Sequence, residues 1–103
     1  MLRKTIDYEA LVDLFVRSGV EISPKDPRPE GFLTCFELLD ETSGRRIGAS
    51  GLCCDRREYI LRCVAVEEEF RGKGYGTRLV RAVMDEAVRR GAKMFWLTAK
   101  VPE

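Results

Sequence analysis

The chain has 103 residues, of which 45% are hydrophobic and 34% charged, and its formal net charge is +1. This length and balance predict one folded domain over residues 1–103 and argue against disorder. A net charge near zero gives no reason to expect a nucleic acid partner or an anionic membrane surface. We expect a cytoplasmic location, since no apolar run approaches the roughly 18 residues of a membrane span and no signal-peptide core follows the N-terminus.

The chain contains four cysteines and no histidine. Zinc sites use cysteine and histidine at short spacings, and a catalytic triad commonly uses histidine, so we expect neither and no metal. The cysteines are predicted to be small buried apolar residues in a reducing compartment; they are Cys35, Cys53, Cys54 and Cys63.

The first predicted element is a helix over Asp7–Arg17, where apolar residues recur at steps of three and four. Asp7 is a suitable N-cap for it, and Gly19 is a suitable stop. Three prolines follow and exclude regular structure, so Ser23–Gly31 is predicted to be a connecting loop.

Three strands are predicted next, over Phe32–Leu39, Arg45–Cys54 and Tyr59–Val66. Short polar turns separate them, which predicts an antiparallel meander. The second strand contains Gly48 and Gly51, which indicates a bulge or a close backbone neighbour.

An amphipathic helix is predicted from Thr77 to Gly91, because its apolar residues fall on one face. Opposite charges four residues apart are expected to pair on its outer face. The two pairs are Asp85 with Arg89 and Glu86 with Arg90.

The last predicted element is a strand over Lys93–Thr98, whose uninterrupted apolar run Met94–Leu97 is typical of burial on both faces. A strand, a crossover helix and a strand form a βαβ unit, so this strand is expected to run parallel to Tyr59–Val66. The predicted fold class is therefore α/β (α+β), an antiparallel meander followed by a βαβ unit.

A glycine-rich turn, Arg71-Gly72-Lys73-Gly74-Tyr75-Gly76, lies between the third strand and this helix. The first N–H groups of a helix have no partner within it, and the helix dipole adds about half a positive charge there. Glycines let an anion approach those groups, and Arg71, Lys73 and Arg78 add positive charge. The turn is therefore predicted to bind a pyrophosphate; a helix start with flexible glycines and no ligand is the alternative.

Two common phosphate-binding patterns do not fit this turn. The pattern GxxxxGK[ST] is absent, because Tyr75 follows Gly74. The dinucleotide pattern GxGxxG fails because Gly76 comes one residue too early.

Cys63–Val66, three glutamates and then Phe70–Val80 resemble motif A of the GCN5-related N-acetyltransferases (GNAT). The signature [Q/R]-x-x-G-x-[G/A] of that family is matched by Arg71, Gly74 and Gly76. The resemblance covers roughly residues 1 to 100. It implies a GNAT-like sheet in which the two parallel strands splay apart.

The resemblance also implies a ligand and a reaction. The backbone of Val64 and Val66 would bind the pantetheine arm of acetyl-CoA, and amides from Gly72 to Thr77 would hold its pyrophosphate. The acetyl carbonyl would lie against the backbone near Val64, which would polarise it. A small-molecule or peptide amine would attack it directly. The residues expected to bind the co-substrate are Val64, Val66, Arg71, Gly72, Lys73, Gly74, Tyr75, Gly76 and Thr77.

Two departures from the family pattern bear on turnover. The position that carries a general-base glutamate in many members is Ile60 here, and the nearest carboxylates are Glu58 and the run Glu67–Glu69. Tyr59 could act through water but is typical of packed core. The catalytic residues are therefore left unassigned.

The second departure is that the family's next helix and last two strands would follow Glu103. Without them the apolar Met94–Leu97 would form an exposed sheet edge. We expect either a fragment of a longer protein or a second copy that covers this edge, as a homodimer.

A narrower resemblance is to the acetyltransferase-like domain of citrate lyase ligases, carried by Leu61–Val66 and Met94–Lys100. It would imply a non-catalytic or truncated acyl-CoA-binding module. This alternative stays open beside the acetyltransferase hypothesis.

Overall fold

The computed structural model describes residues 1–20 and 29–97, which form a five-stranded sheet with helical segments against it. The strands follow chain order across the sheet. They are β1 Leu2–Thr5, β2 Phe32–Leu39, β3 Arg46–Asp55, β4 Glu58–Val66 and β5 Phe95–Leu97. β1 to β4 pair antiparallel and β5 pairs parallel to β4, which confirms the predicted meander and βαβ unit.

The helical segments comprise two 3₁₀ turns, Tyr8–Leu11 and Glu68–Phe70, and two α-helices, α1 Val12–Arg17 and α2 Tyr75–Arg89. The predicted first helix is thus a 3₁₀ turn that leads into a short α-helix. Asp7 caps it as predicted, since its Oδ1 accepts from the Ala10 N–H at 3.3 Å. Helix α2 begins two residues earlier than predicted and ends just before Gly91, whose φ is +88°.

Each face of the sheet has its own apolar core. On one face α2 packs on β2, β3 and β4 through residues such as Leu79, Val83 and Val64. On the other face the segment Tyr8–Phe15 packs on residues that include Cys35 and Cys63. The burial of Cys35, Cys53 and Cys63 confirms their predicted role as small core residues, while Cys54 is half-buried.

The two glycines of β3 have close neighbours, as predicted. A Cβ on Gly48 would lie 2.5 Å from the carbonyl oxygen of Ala65, and one on Gly51 would lie 2.7 Å from the Sγ of Cys63. The pairing of β3 with β4 also shifts register directly after Gly51. The glycines therefore let β4 approach β3 closely and bulge beside it.

Three predictions about the elements were incomplete or wrong. Strand β1 was not predicted; it is an edge strand whose side chains are mostly exposed, so it has no apolar alternation. Glu86 does pair with Arg90, but its side chain is only 4% exposed and therefore not on the outer face. Arg89 pairs with Glu86, at 2.6 Å, rather than with Asp85.

The prediction that the last strand is buried on both faces is wrong. Phe95 is half-buried, but Trp96 is 47% exposed and Leu97 is 52% exposed. The reason is its position at the end of the sheet, where β4 is its one strand partner among the described residues. The predicted loop Ser23–Gly31 falls largely outside the described ranges, as does Thr98.

Candidate functional site

The glycine-rich turn joins the 3₁₀ turn after β4 to the first residue of α2. Gly72 and Gly74 have φ values of +79° and +82°, which favour glycine because a Cβ is strained there. A Cβ at either position would meet no heavy atom within 4 Å, so the space beside the turn is open. Gly76 is buried in the first turn of α2. Gly72 and Gly74 therefore combine an unusual backbone path with open access.

The first turn of α2 can accept an anion. Its N-cap is Gly74, which has no side chain to bond the free N–H groups, and no acidic residue stands in the first turn. Ser, Thr, Asp and Asn are the residues whose side chains commonly bond these groups at an N-cap. The N–H groups of Tyr75, Gly76 and Thr77 are thus left to a ligand or to solvent, with the positive end of the helix dipole behind them.

Of the three cations beside the turn, Arg71 is held in place by a hydrogen bond to the backbone. Arg71 Nε donates to the carbonyl oxygen of Val66 at 3.1 Å, so this side chain ties the turn to the end of β4. Lys73 Nζ lies 6.0 Å from the ring centroid of Phe70. Arg78 Cζ lies 5.9 Å from that of Tyr75. Lys73 and Arg78 are therefore exposed cations that each lie near an aromatic ring beside the turn.

A bulge in β4 sets the direction of the backbone beside this turn. The Tyr59 N–H donates to Met94 O, toward β5, whereas the Glu67 N–H donates to Ile47 O, in β3. Residues an even number apart in a regular strand point to the same edge, so the alternation must break between them. It breaks at Arg62, which has no Cα partner in β3.

Past the bulge, Val64 and Val66 alternate with Glu67 and therefore direct their N–H and C=O groups away from β3, toward the β5 side. The pairing of β5 with β4 reaches Leu61, so among the described residues no strand covers the edge beyond it. The structure thus brings the backbone of Val64 and Val66 and the glycine turn to one edge. The Val66 carbonyl already accepts Arg71 Nε, a contact that the sequence did not predict.

Neither Ile60, at the position of the family's base, nor Tyr59 is placed to accept a proton from a substrate. Ile60, at the usual base position, is 8% exposed and belongs to the core. The Tyr59 hydroxyl donates to the carbonyl oxygen of Arg90 at 3.3 Å, and its ring packs against the α2-side core. Both groups therefore serve structure.

The glutamate run after β4 is largely engaged in ion pairs. Arg17 donates to both carboxylate oxygens of Glu67, at 2.8 and 3.2 Å, and these hydrogen bonds hold the Glu67 pKa below its usual value. Glu69 pairs with Arg45. The Arg17–Glu67 pair joins the end of α1 to the end of β4, which a charge run in the sequence could not reveal.

The thiols of Cys53 and Cys63 are buried and are not activated as nucleophiles. Burial raises the pKa of Cys53 to about 11 and that of Cys63 to about 12, so neither is a ready nucleophile. Within residues 1–20 and 29–97, no group of three or more His, Cys, Asp and Glu side chains is arranged to hold a metal ion. No helix in these same ranges has the length and apolar character to cross a membrane.

Comparison with known proteins agrees with this fold. The sequence matches the model of the acetyltransferase (GNAT) family over residues 8–102. Because the match covers nearly the whole chain, the chain belongs to the GNAT family of acetyltransferases. No curated protein sequence matches it.

Solved structures share the fold at low sequence identity. The ribosomal-protein-S18-alanine N-acetyltransferase of Escherichia coli is 24% identical, with a TM-score of 0.70; the match covers 94% of this chain and 66% of that enzyme. The glucosamine-6-phosphate N-acetyltransferase of Arabidopsis thaliana is 18% identical, with a TM-score of 0.71 and coverages of 98% and 82%.

A third structure is that of an aminoglycoside N-acetyltransferase, AAC(6')-Iy, in complex with CoA. It is 17% identical, with a TM-score of 0.66, and the match covers 97% of this chain and 79% of that one. At these identities the likeness establishes the fold. The chain spans slightly less than two thirds of the E. coli enzyme.

Proposed function

We propose that the chain binds acetyl-CoA at the glycine turn and the β4 edge, and transfers its acetyl group to a primary amine in a direct ternary complex. The observation that carries the proposal is the uncapped start of α2, where Gly72 and Gly74 leave open space beside free N–H groups. A pyrophosphate is the anion that suits several adjacent amides at a helix N-terminus. The edge of Val64 and Val66 begins beside the same turn.

The residues of the chain would divide the work. Amides from Gly72 to Thr77 would hold the pyrophosphate, and the outward backbone groups of Val66, with the Val64 carbonyl, would bind the pantetheine amides. A Val64 N–H directed at the acetyl oxygen would stabilise the negative charge that develops on it. Acetyl-CoA itself supplies an activated thioester. The amine acceptor is a small molecule or a peptide.

Thermal unfolding with acetyl-CoA tests the binding step. At a ligand concentration of about 100 times the Kd, the midpoint should rise by about 10–20 °C. Gly74→Glu should remove this shift, because its side chain enters the open space and its charge repels the pyrophosphate. Gly91→Glu is the matched control, since Gly91 has a similar φ and open surroundings at the other end of α2. A shift that survives in Gly74→Glu would contradict the site.

A second candidate function is an acyl-CoA-binding module without turnover, as in the acetyltransferase-like domain of citrate lyase ligases. The buried Ile60 at the base position and the ion-paired Glu67 favour it. Release of free CoA thiol in the presence of a panel of primary amines separates the two. Release that depends on the amine supports the transferase; binding without release from any amine supports the module.

A further inference from the structure

A line of side chains crosses the sheet on the face that carries α1. Phe32, Cys53, Ile60 and Trp96 are register partners on successive strands, so their side chains share one face. Phe32 packs against the core under α1 and meets the ring of Tyr8 edge to face, which identifies that face. Ile60 and Trp96 therefore lie on the α1 side of the β4–β5 pair.

Arg62 lies on the same face, next to this line. It is the extra residue of the β4 bulge and has no partner in β3. Burial raises the pKa of Cys53 and Cys63, and the nearby Arg62 guanidinium opposes this rise at both thiols. Because Cys63 belongs to the core under α1, the guanidinium is on the α1 side as well. Both Arg62 and Trp96 are exposed to solvent.

Arg62 is the charged side chain of this face that lies nearest to Val64 along β4. Val64, whose N–H would polarise the acetyl carbonyl, comes two residues later, about 7 Å farther along the strand. Glu58 shares the face of Ile60 but precedes Arg62 by four residues, about 13 Å in an extended strand. Within the described residues, Arg62 forms no ion pair. The charge beside the proposed acetyl position is therefore positive.

The position of α2 decides from which side an acceptor can approach. Helix α2 and its glycine turn lie on the other face of the sheet, so a co-substrate on that turn would reach the Val64 edge from the α2 side. The amine would then meet the acetyl carbon from the α1 side, past Arg62 and Trp96. A guanidinium at this place repels an ammonium group and pairs with a carboxylate, while an indole and Ile60 offer apolar contact.

We propose that the acceptor carries a carboxylate close to its primary amine and that Arg62 binds this carboxylate. A free amino acid and a peptide with an acidic first residue both have this chemistry. The inference rests on the proposed function, because it needs the acetyl group beside Val64. The same cation disfavours the protonated amine, so the neutral form that can react is favoured there.

The transfer itself balances without a further reactant. The amine nitrogen forms a bond to the acetyl carbon, and the bond from that carbon to the CoA sulfur breaks. The nitrogen loses one proton to solvent, and the CoA thiolate takes one up. Arg62 binds the acceptor during this step and exchanges no proton, since a guanidinium stays charged.

Initial rates of CoA thiol release with two matched pairs of acceptors test the proposal. Glycine is compared with glycinamide, and aspartyl-alaninamide with asparaginyl-alaninamide, with all rates referred to the neutral amine. In at least one pair, the acceptor with the extra carboxylate should have a kcat/KM about two- to fivefold higher, as an exposed ion pair provides. A preference in the first pair identifies a free amino acid, and one in the second identifies a peptide.

Three variants assign the preference to a residue. Arg62→Gln should bring the ratio within the preferred pair close to one and leave the rate with the uncharged acceptor unchanged, whereas Arg62→Lys should keep part of the preference. Arg81→Gln is the control, because Arg81 is an exposed cation on α2, across the sheet, and has no ion pair within the described ranges. It should keep the preference of the wild type.

The outcomes separate this inference from the proposed function. Transfer without preference in either pair would overturn the carboxylate subsite and leave the acetyltransferase standing. An Arg62→Gln variant that keeps the preference, or that loses activity equally with charged and uncharged acceptors, would also overturn the inference. Transfer to no amine, in a protein that binds acetyl-CoA, would overturn the proposed transfer together with it.

Discussion

Gly74 determines how the start of α2 presents its backbone. As an N-cap in the left-handed region it bends the chain into the helix, and it has no side chain to close the first turn. Gly91 adopts a similar φ at the other end of the same helix. Any other residue would therefore be strained to a similar extent at either position, but only Gly74 lies beside the proposed ligand.

Variants of Gly74 and Gly91 therefore separate an effect on protein stability from an effect on acetyl-CoA binding. Gly74→Ala and Gly91→Ala should each lower the free energy of unfolding by about 1 kcal/mol, the strain of a Cβ at positive φ. Gly74→Ala alone should also weaken acetyl-CoA binding, because its Cβ projects into the open space beside the turn. Urea unfolding and calorimetric titration measure the two effects. Equal acetyl-CoA affinities of the two variants would argue against the turn as the binding site.

At the scale of elements, Glu86 ties α2 to the edge strand β1. Its carboxylate accepts from Arg89 and Arg90 on its own helix and from Lys4 on β1, at 2.6, 2.8 and 3.0 Å. The hydrogen bonds from Arg89 and Arg90 and then Lys4 lower the Glu86 pKa to about 2. The helix that carries the glycine turn is thus fixed to the sheet by charge as well as by apolar packing.

The lowered pKa predicts an acid-sensitive contribution to stability. Glu86 has an ordinary pKa of 4.5 when unfolded, so its stabilisation is complete above that pH and is lost as pH falls toward about 2. Glu86→Gln should lower the free energy of unfolding at pH 7 by about 1–2 kcal/mol, since its partners are partly exposed. It should also reduce the loss of stability between pH 4.5 and pH 2 in urea titrations.

Asp85→Asn is the control for this prediction, because Asp85 is exposed and forms no ion pair with a described residue. Its unfolding free energy should match that of the wild type at pH 7. A Glu86→Gln variant with the acid dependence of the wild type would show that other carboxylates dominate acid unfolding.

Sequence patterns anticipated the elements whose signals are local. The apolar stripe of α2, the Asp7 cap and the glycine turn all depend on neighbours within a few residues. The bulge at Arg62 depends on the close approach of Gly51 to Cys63 on another strand, which no local pattern contains. The burial of Glu86 did have a signal, since its spacing from Leu79 and Val83 places it on the apolar stripe.

At the scale of the whole molecule, the β5 end of the sheet is an apolar surface that the described residues do not cover. Trp96 and Leu97 on β5 are about half exposed, and Val88 and Met84 on α2 are also exposed. An apolar sheet edge of this kind is normally covered. Cover by a second copy of the chain, as a homodimer, stays a prediction for this surface.

The central proposal is that acetyl-CoA binds with its pyrophosphate on the amides of the glycine turn and its pantetheine arm along the β4 edge. Amide chemical shifts of isotopically labelled protein during titration with acetyl-CoA test it most directly. The largest changes should occur at the N–H groups from Gly72 to Thr77 and at Val64 and Val66, with smaller changes at Gly44 and Gly91. Saturable shifts confined to other residues, or no shifts at concentrations in the millimolar range, would contradict the claim.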